Sequence, residues 1–183
     1  MTLSKLTISA LFTALIAVMA QIAVPLPFSP VPLTGQVIGV MLAGALLGSR
    51  AGSLAVIAYL LLGAAGAPVF SMGRSGFYML SGPTGGYLWG FIPAVYIAGL
   101  ILEKTETPSI YRTAAAMLTA LGLIYLCGAL QLGLVMRYNL WQTMLTGVIP
   151  FLPLDLLKVF ITAFLAGQIK KSLVLNRLDH ILK

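Results

Sequence analysis

The chain alternates long uncharged apolar stretches with short segments where prolines, glycines and charges gather. Residues 6–24 carry no charge and are long enough for a membrane-crossing helix, which needs about 20 mostly apolar residues. Between residues 35 and 70 the only charge is Arg50. That stretch is too long for one crossing, and it predicts two short helices hinged at Gly48-Ser49-Arg50-Ala51-Gly52. Residues 85–102 and 113–136 predict a fourth and a fifth crossing. Residues 150–167 predict a sixth, although they hold Asp155 and Lys158. The expected fold is an all-α integral membrane protein, a compact bundle of six transmembrane helices forming one domain over residues 1–183.

Composition removes the main alternatives. Of the 183 residues 60% are hydrophobic and only 8% charged, against about 25% charged in an ordinary soluble domain. That leaves too little charge for a water-covered surface, and disorder has the opposite signature. The single cysteine, Cys127, excludes an internal disulfide or a cysteine-based metal cluster. Lys5 ahead of the apolar run through Val18-Met19-Ala20 has the outline of a cleavable signal peptide. The length of that run and the membrane character of the rest of the chain favour a retained first helix.

The net charge of +7 would suit nucleic acid if the basic residues formed a patch. They are instead distributed by topology. With six crossings, Lys5, Arg50, Lys104, Arg112, Lys170, Lys171, Arg177 and Lys183 fall on one side, and Arg74 and Arg137 on the other. Basic residues in short loops favour the cytoplasm, so both termini are expected there and no nucleic-acid partner is.

The unusual chemistry then falls on the outer side. The segment Pro25-Leu26-Pro27-Phe28-Ser29-Pro30-Val31-Pro32-Leu33-Thr34-Gly35-Gln36 excludes regular helix and predicts a stiff, extended path. Residues 71–87 mix glycines with two tyrosines, a phenylalanine and Arg74. Gly82-Pro83-Thr84-Gly85-Gly86 lacks the lysine ending and the preceding strand of a phosphate loop. Asp155 and Lys158, at i and i+3, share a face of the last helix. Each costs about 2.5–3.5 kcal/mol at a bilayer centre, so such residues turn to a cavity or to each other. Both a ligand site and a self-neutralising structural pair fit that pattern. Arg74 fits either a ligand contact or a headgroup contact. Cys127 and most methionines read as packing, and His180 as a residue of the basic tail.

Small residues recur at helical spacing: Ala10, Ala14 and Ala17 on the first helix, and Gly35, Gly39 and Ala43 on the second. Such faces let helix backbones approach closely. Most serve their own bundle, and the first could receive another membrane protein.

Three motifs, Pro30-Val31-Pro32-Leu33-Thr34-Gly35-Gln36, Gly82-Pro83-Thr84-Gly85-Gly86-Tyr87-Leu88 and Pro150-Phe151-Leu152-Pro153-Leu154-Asp155-Leu156-Leu157-Lys158, resemble in order and spacing the BioY family. Its members are the biotin-specific substrate-capture (S) components of energy-coupling factor (ECF) transporters. The resemblance implies the S-component fold in a prokaryotic cell membrane, with biotin as transported ligand and no cofactor. It also implies a transmembrane coupling subunit and two cytoplasmic ATPases as partners. Asp155 and Lys158 fall on the family's biotin contacts. Thr34, Gln36 and Tyr87 from the other motifs and Arg74 from the outer loop are further candidates, and Ala10 and Ala14 match the face that docks the coupling subunit. Two positions depart from the family pattern: Leu154, where glycine is usual, and Gln131, where tryptophan is frequent.

The mechanism expected is capture, with the proline-rich segment as a lid and inward release driven by partners as the bundle topples. The alternative is a proton- or ion-coupled secondary transporter with Asp155 and Lys158 as relay, although no inverted repeat is visible. An enzyme is not expected, because the chain holds only four carboxylates, one cysteine and one histidine.

Overall fold

The computed structural model describes residues 3–105 and 108–175, so Arg177, His180 and Lys183 lie outside the described residues. Among these are five helices long and apolar enough to cross a membrane: α1 (Leu3–Gln21), α2 (Gln36–Ala64), α4 (Gly85–Leu102), α5 (Ile110–Met136) and α7 (Leu152–Leu175). Between them lie strands β1 (Ala23–Leu26) and β2 (Ser29–Thr34), a 3-10 turn at Ser71–Gly73, and the short helices α3 (Tyr78–Ser81) and α6 (Leu140–Gly147).

α2 is not a single rod. Gly48 has φ 77° and ψ −171°, a conformation that glycine enters without a Cβ penalty. The chain reverses there. A Cβ at Gly52 would stand 2.9 Å from the Ala43 carbonyl oxygen, and the Gln36 amide reaches the hydroxyl of Tyr59. In a straight helix those two residues would be about 35 Å apart, at ~1.5 Å per residue. The legs 36–47 and 49–64 therefore lie antiparallel, with the hinge where the sequence places it.

α4 runs through the centre. Of its most apolar window 61% is buried, against 28% for α1 and for α7. Its small residues allow this: a Cβ at Gly86 would collide with the Cys127 carbonyl of α5, and one at Gly99 with the Ser49 backbone of α2. α1 is tied to the second leg of α2 by Ser9 and Thr13, whose hydroxyls donate to the carbonyls of Ala51 (3.3 Å) and Ala55 (2.9 Å). Unlike those two residues, Ala10 and Ala14 are exposed on α1.

The expectation of a purely helical chain needs one correction. The proline-rich segment is extended, as its prolines require, but it also pairs with itself as an antiparallel hairpin. Ala23 faces Thr34, Val24 faces Leu33 and Leu26 faces Ser29, with an irregularity at Pro25. Proline has no N–H to give a ladder, so pairing there is interrupted. α6 was not expected as a helix. It starts at a reciprocal cap, in which Asn139 accepts from the Gln142 backbone N–H at 2.8 Å and Gln142 accepts from that of Asn139 at 3.2 Å.

One end of the bundle is closed by polar bonds to backbone. Glu103 accepts from the Ser49 N–H (2.9 Å) and hydroxyl (2.8 Å), which caps the second leg of α2. Arg112 donates twice to the Ile101 carbonyl (3.1 and 2.7 Å), and Lys170 donates to that of Leu102 (3.3 Å). These bonds gather the hinge of α2, the end of α4, the start of α5 and the end of α7. The β-hairpin, α3 and α6 lie at the opposite end.

Candidate functional site

Asp155 lies in the first turn of α7, where the positive end of the helix dipole favours a carboxylate. Its side chain is 6% exposed and that of Lys158 14%. The Lys158 ammonium donates to Asp155 Oδ1 at 2.7 Å and to the carbonyl oxygen of Thr34 in β2, also at 2.7 Å. The other carboxylate oxygen, Oδ2, accepts from the Tyr125 hydroxyl of α5 at 2.6 Å. A buried pair needs such additional hydrogen bonds to offset the loss of water. Three elements converge on it: α7 supplies both charges, α5 the phenol and β2 a backbone oxygen.

The pair opens on a cavity between the hairpin and the helices. Val31, Leu33, Phe70, Phe91, Ile124 and Phe151 supply apolar wall, while Thr34, Gln36, Ser71, Thr84 and Tyr87 add polar groups. An apolar lining with a few fixed polar groups is the usual make-up of a small-molecule site. The polar groups are held from behind. Tyr87 donates to the Gly147 carbonyl at the end of α6 (2.8 Å), and a Cβ at Gly128 would collide with the Tyr87 ring, so the missing side chain makes its seat. The Ser29 hydroxyl at the hairpin turn donates to the Thr146 carbonyl (2.6 Å), joining the hairpin to α6.

Asp155, Lys158, Thr34, Gln36 and Tyr87 are thus brought together around one cavity. Arg74 is not among its lining residues. It is exposed, three positions beyond Ser71, and has no side-chain hydrogen bond or ion pair among the described residues. Ala10 and Ala14 lie on α1, which contributes no lining residue.

Tyr125 was missed by the sequence reading of the site. Its signal in the sequence was a phenol in the apolar run of α5, three residues before Gly128.

The two departures from the family pattern now have physical accounts. Leu154 is 46% exposed, beside the site rather than in it. Gln131 donates its amide to the carbonyls of Leu80 (2.9 Å) and Gly82 (2.8 Å), and the Trp89 indole also donates to Leu80 (3.1 Å). Gln131 thereby holds the turn that delivers Thr84 and Tyr87 to the cavity.

Known proteins agree with this architecture over nearly the whole chain. A biotin transporter BioY of Thermotoga maritima is 42% identical over 88% of this chain and 92% of its own length. One of Rhodobacter capsulatus is 39% identical, covering 94% and 98%. A probable biotin transporter BioY of Pyrococcus horikoshii is 39% identical, covering 91% and 96%. Among solved structures, the S-component for biotin from an ECF-type ABC transporter superposes with a TM-score of 0.87 at 29% identity, over 93% of this chain and 95% of that one. The BioY family model matches residues 1–174, and the chain belongs to the BioY family.

Proposed function

We infer that this chain captures biotin outside the cell and is the substrate-specific subunit of an ATP-driven ECF transporter. The observation that carries the reading is the Asp155–Lys158 pair, buried, braced by Tyr125 and open to an apolar cavity, in a chain similar throughout to biotin transporters.

Biotin has a ureido ring with two N–H donors and a carbonyl, an apolar bicyclic body and chain, and a carboxylate. Asp155 accepts from a ureido N–H, and the remaining ammonium proton of Lys158 serves the ureido carbonyl. Thr34, Gln36 and Tyr87 line the path of the body, and Arg74 meets the carboxylate at the outer rim. Selectivity follows because a ligand lacking these groups leaves a buried donor or acceptor unpaired. The hairpin covers the site.

In this reading the two legs of α2 count separately, so the chain crosses the membrane six times with both termini in the cytoplasm. Among the described residues, Lys5, Arg50, Lys104, Arg112, Lys170 and Lys171 support that orientation. The partners are a transmembrane coupling subunit, received by the exposed Ala10 and Ala14, and two cytoplasmic ATPases that drive release.

The test is a biotin titration of the purified protein beside Asp155→Asn and Lys158→Ala. Saturable binding by the unsubstituted chain, lost in both variants, is expected. No binding by the unsubstituted chain sinks the function, and full binding by both variants sinks the site.

A further inference from the structure

A polar chain leads from the cavity wall at Gln36 into the second leg of α2. The Tyr59 hydroxyl, on the second leg of α2, donates to the Val69 carbonyl at 3.1 Å and lies within hydrogen-bond reach of the Gln36 amide nitrogen. Tyr59 is fully buried, Gln36 is 4% exposed, and only Gln36 lines the cavity.

The hydrogen bonds of this chain give its protons an order. A phenol has one proton to donate. Val69 has no other donor among the described residues, so the Tyr59 proton belongs to it. The phenol oxygen is then left only as an acceptor toward Gln36. The glutamine must present its NH2 end to it, because the opposite orientation would set two acceptors against each other. The Gln36 carbonyl, which accepts from no described residue, is left for the cavity.

The phenol cannot drift from this post. Its ring meets Phe70 edge-on, with centroids 5.6 Å apart at 80°. Phe70 is fully buried and occupies the space that a side chain at Gly63, one turn beyond Tyr59, would fill.

We propose that Tyr59 is a positioning residue for the ligand site: through its bond to the Gln36 amide it fixes the glutamine carbonyl as an acceptor for a ligand N–H. Resting on the reading of the ligand as biotin, this assigns the second ureido N–H to Gln36, as the first goes to Asp155. The site then holds an acceptor on either side of the urea, each oriented from behind by a tyrosine: Tyr125 for Asp155 and Tyr59 for Gln36.

The experiment is a double-mutant cycle of Tyr59→Phe and Gln36→Leu, read as biotin affinity. Phenylalanine keeps the ring and its contact with Phe70, so the fold is preserved, which a melting temperature taken without biotin verifies. Tyr59→Phe is expected to weaken biotin roughly fivefold to tenfold in the Gln36 background, the scale of one neutral hydrogen bond. In the Leu background it is expected to have no effect. A loss of equal size in both backgrounds means a merely structural role and overturns the proposal, as does no loss in the first.

Two biotins methylated at one or the other ureido nitrogen give a second readout for the case where Gln36→Leu binds too weakly to measure. The unsubstituted chain should reject both. Tyr59→Phe should relax the rejection of one of them, because a freed amide can turn. Unchanged rejection of both overturns the proposal. If the unsubstituted chain binds no biotin, the functional reading fails and this inference with it. If it binds and the cycle is additive, the inference alone fails.

Discussion

The Tyr125 hydroxyl meets the Asp155 carboxylate at 2.6 Å, on the oxygen that Lys158 leaves free. The carboxylate is thereby gripped at both ends, and its plane is set before a ligand arrives. Tyr125→Phe removes one grip and leaves the ring. A hydrogen bond to a charged group is worth about 1.5–3 kcal/mol, so biotin affinity is expected to fall by roughly 10- to 100-fold. Isothermal titration decides the point, and unchanged affinity would show that Asp155 needs no bracing from α5.

Stability and binding should separate at the ion pair. Removing one partner of a buried pair typically costs about 3–5 kcal/mol, whereas replacing both by apolar groups is often neutral. Lys158→Met should lower the melting temperature of the purified protein. Adding Asp155→Leu should restore much of it without restoring biotin binding. A double variant no more stable than the single one would contradict this account of the pair.

Arg74 stands apart from the cavity. If it meets the ligand carboxylate, Arg74→Ala should weaken biotin but leave an uncharged biotin amide almost unaffected. The unsubstituted protein would then prefer the acid, and the variant would bind both alike. Equal losses for acid and amide would assign Arg74 a structural part, and no loss for either would leave it to the lipid headgroups.

Ala10 and Ala14 are exposed on a helix that supplies nothing to the cavity. Tryptophan at both positions should leave biotin binding by the isolated chain within about twofold, a change of less than ~0.5 kcal/mol. Co-purification with the coupling subunit should be abolished. Intact assembly would move the docking face elsewhere.

Two glycines give opposite expectations. A Cβ at Gly86 would run into the Cys127 backbone, while one at Gly122 of α5 meets nothing within 4 Å. Gly86→Ala should destabilise by about 1–3 kcal/mol through overpacking. Gly122→Ala should stabilise by up to ~1 kcal/mol through helix propensity. Thermal unfolding of both variants in one detergent tests the pair, and a loss at Gly122 would show that its open face is occupied.

Much of this was legible in the chain. Apolar runs uninterrupted by charge announce long helices, and Gly48 beside Arg50 marks the reversal because a charge and a glycine are both poor company for the middle of an apolar helix. Asp155 and Lys158 stand out for the same reason. What escaped is what depends on the third dimension. Tyr125 is 30 positions from Asp155, and its role exists only because α5 packs beside α7. α6 is too short for periodicity to reveal it, although its Asn139 and Gln142 are a legible start signal. The placement of Arg74 outside the cavity depends on the path of the loop, which its glycines leave undetermined by local rules.

The bond from Lys158 to the hairpin ends on the carbonyl oxygen of Thr34, an atom that every amino acid carries. No side-chain replacement in the hairpin deletes it. What this contact asks of the hairpin is the course of its backbone and not the side chain at position 34, whatever the cavity asks of the neighbouring residues. A search for invariant side chains would pass over this contact. It would come to light only when structures are superposed.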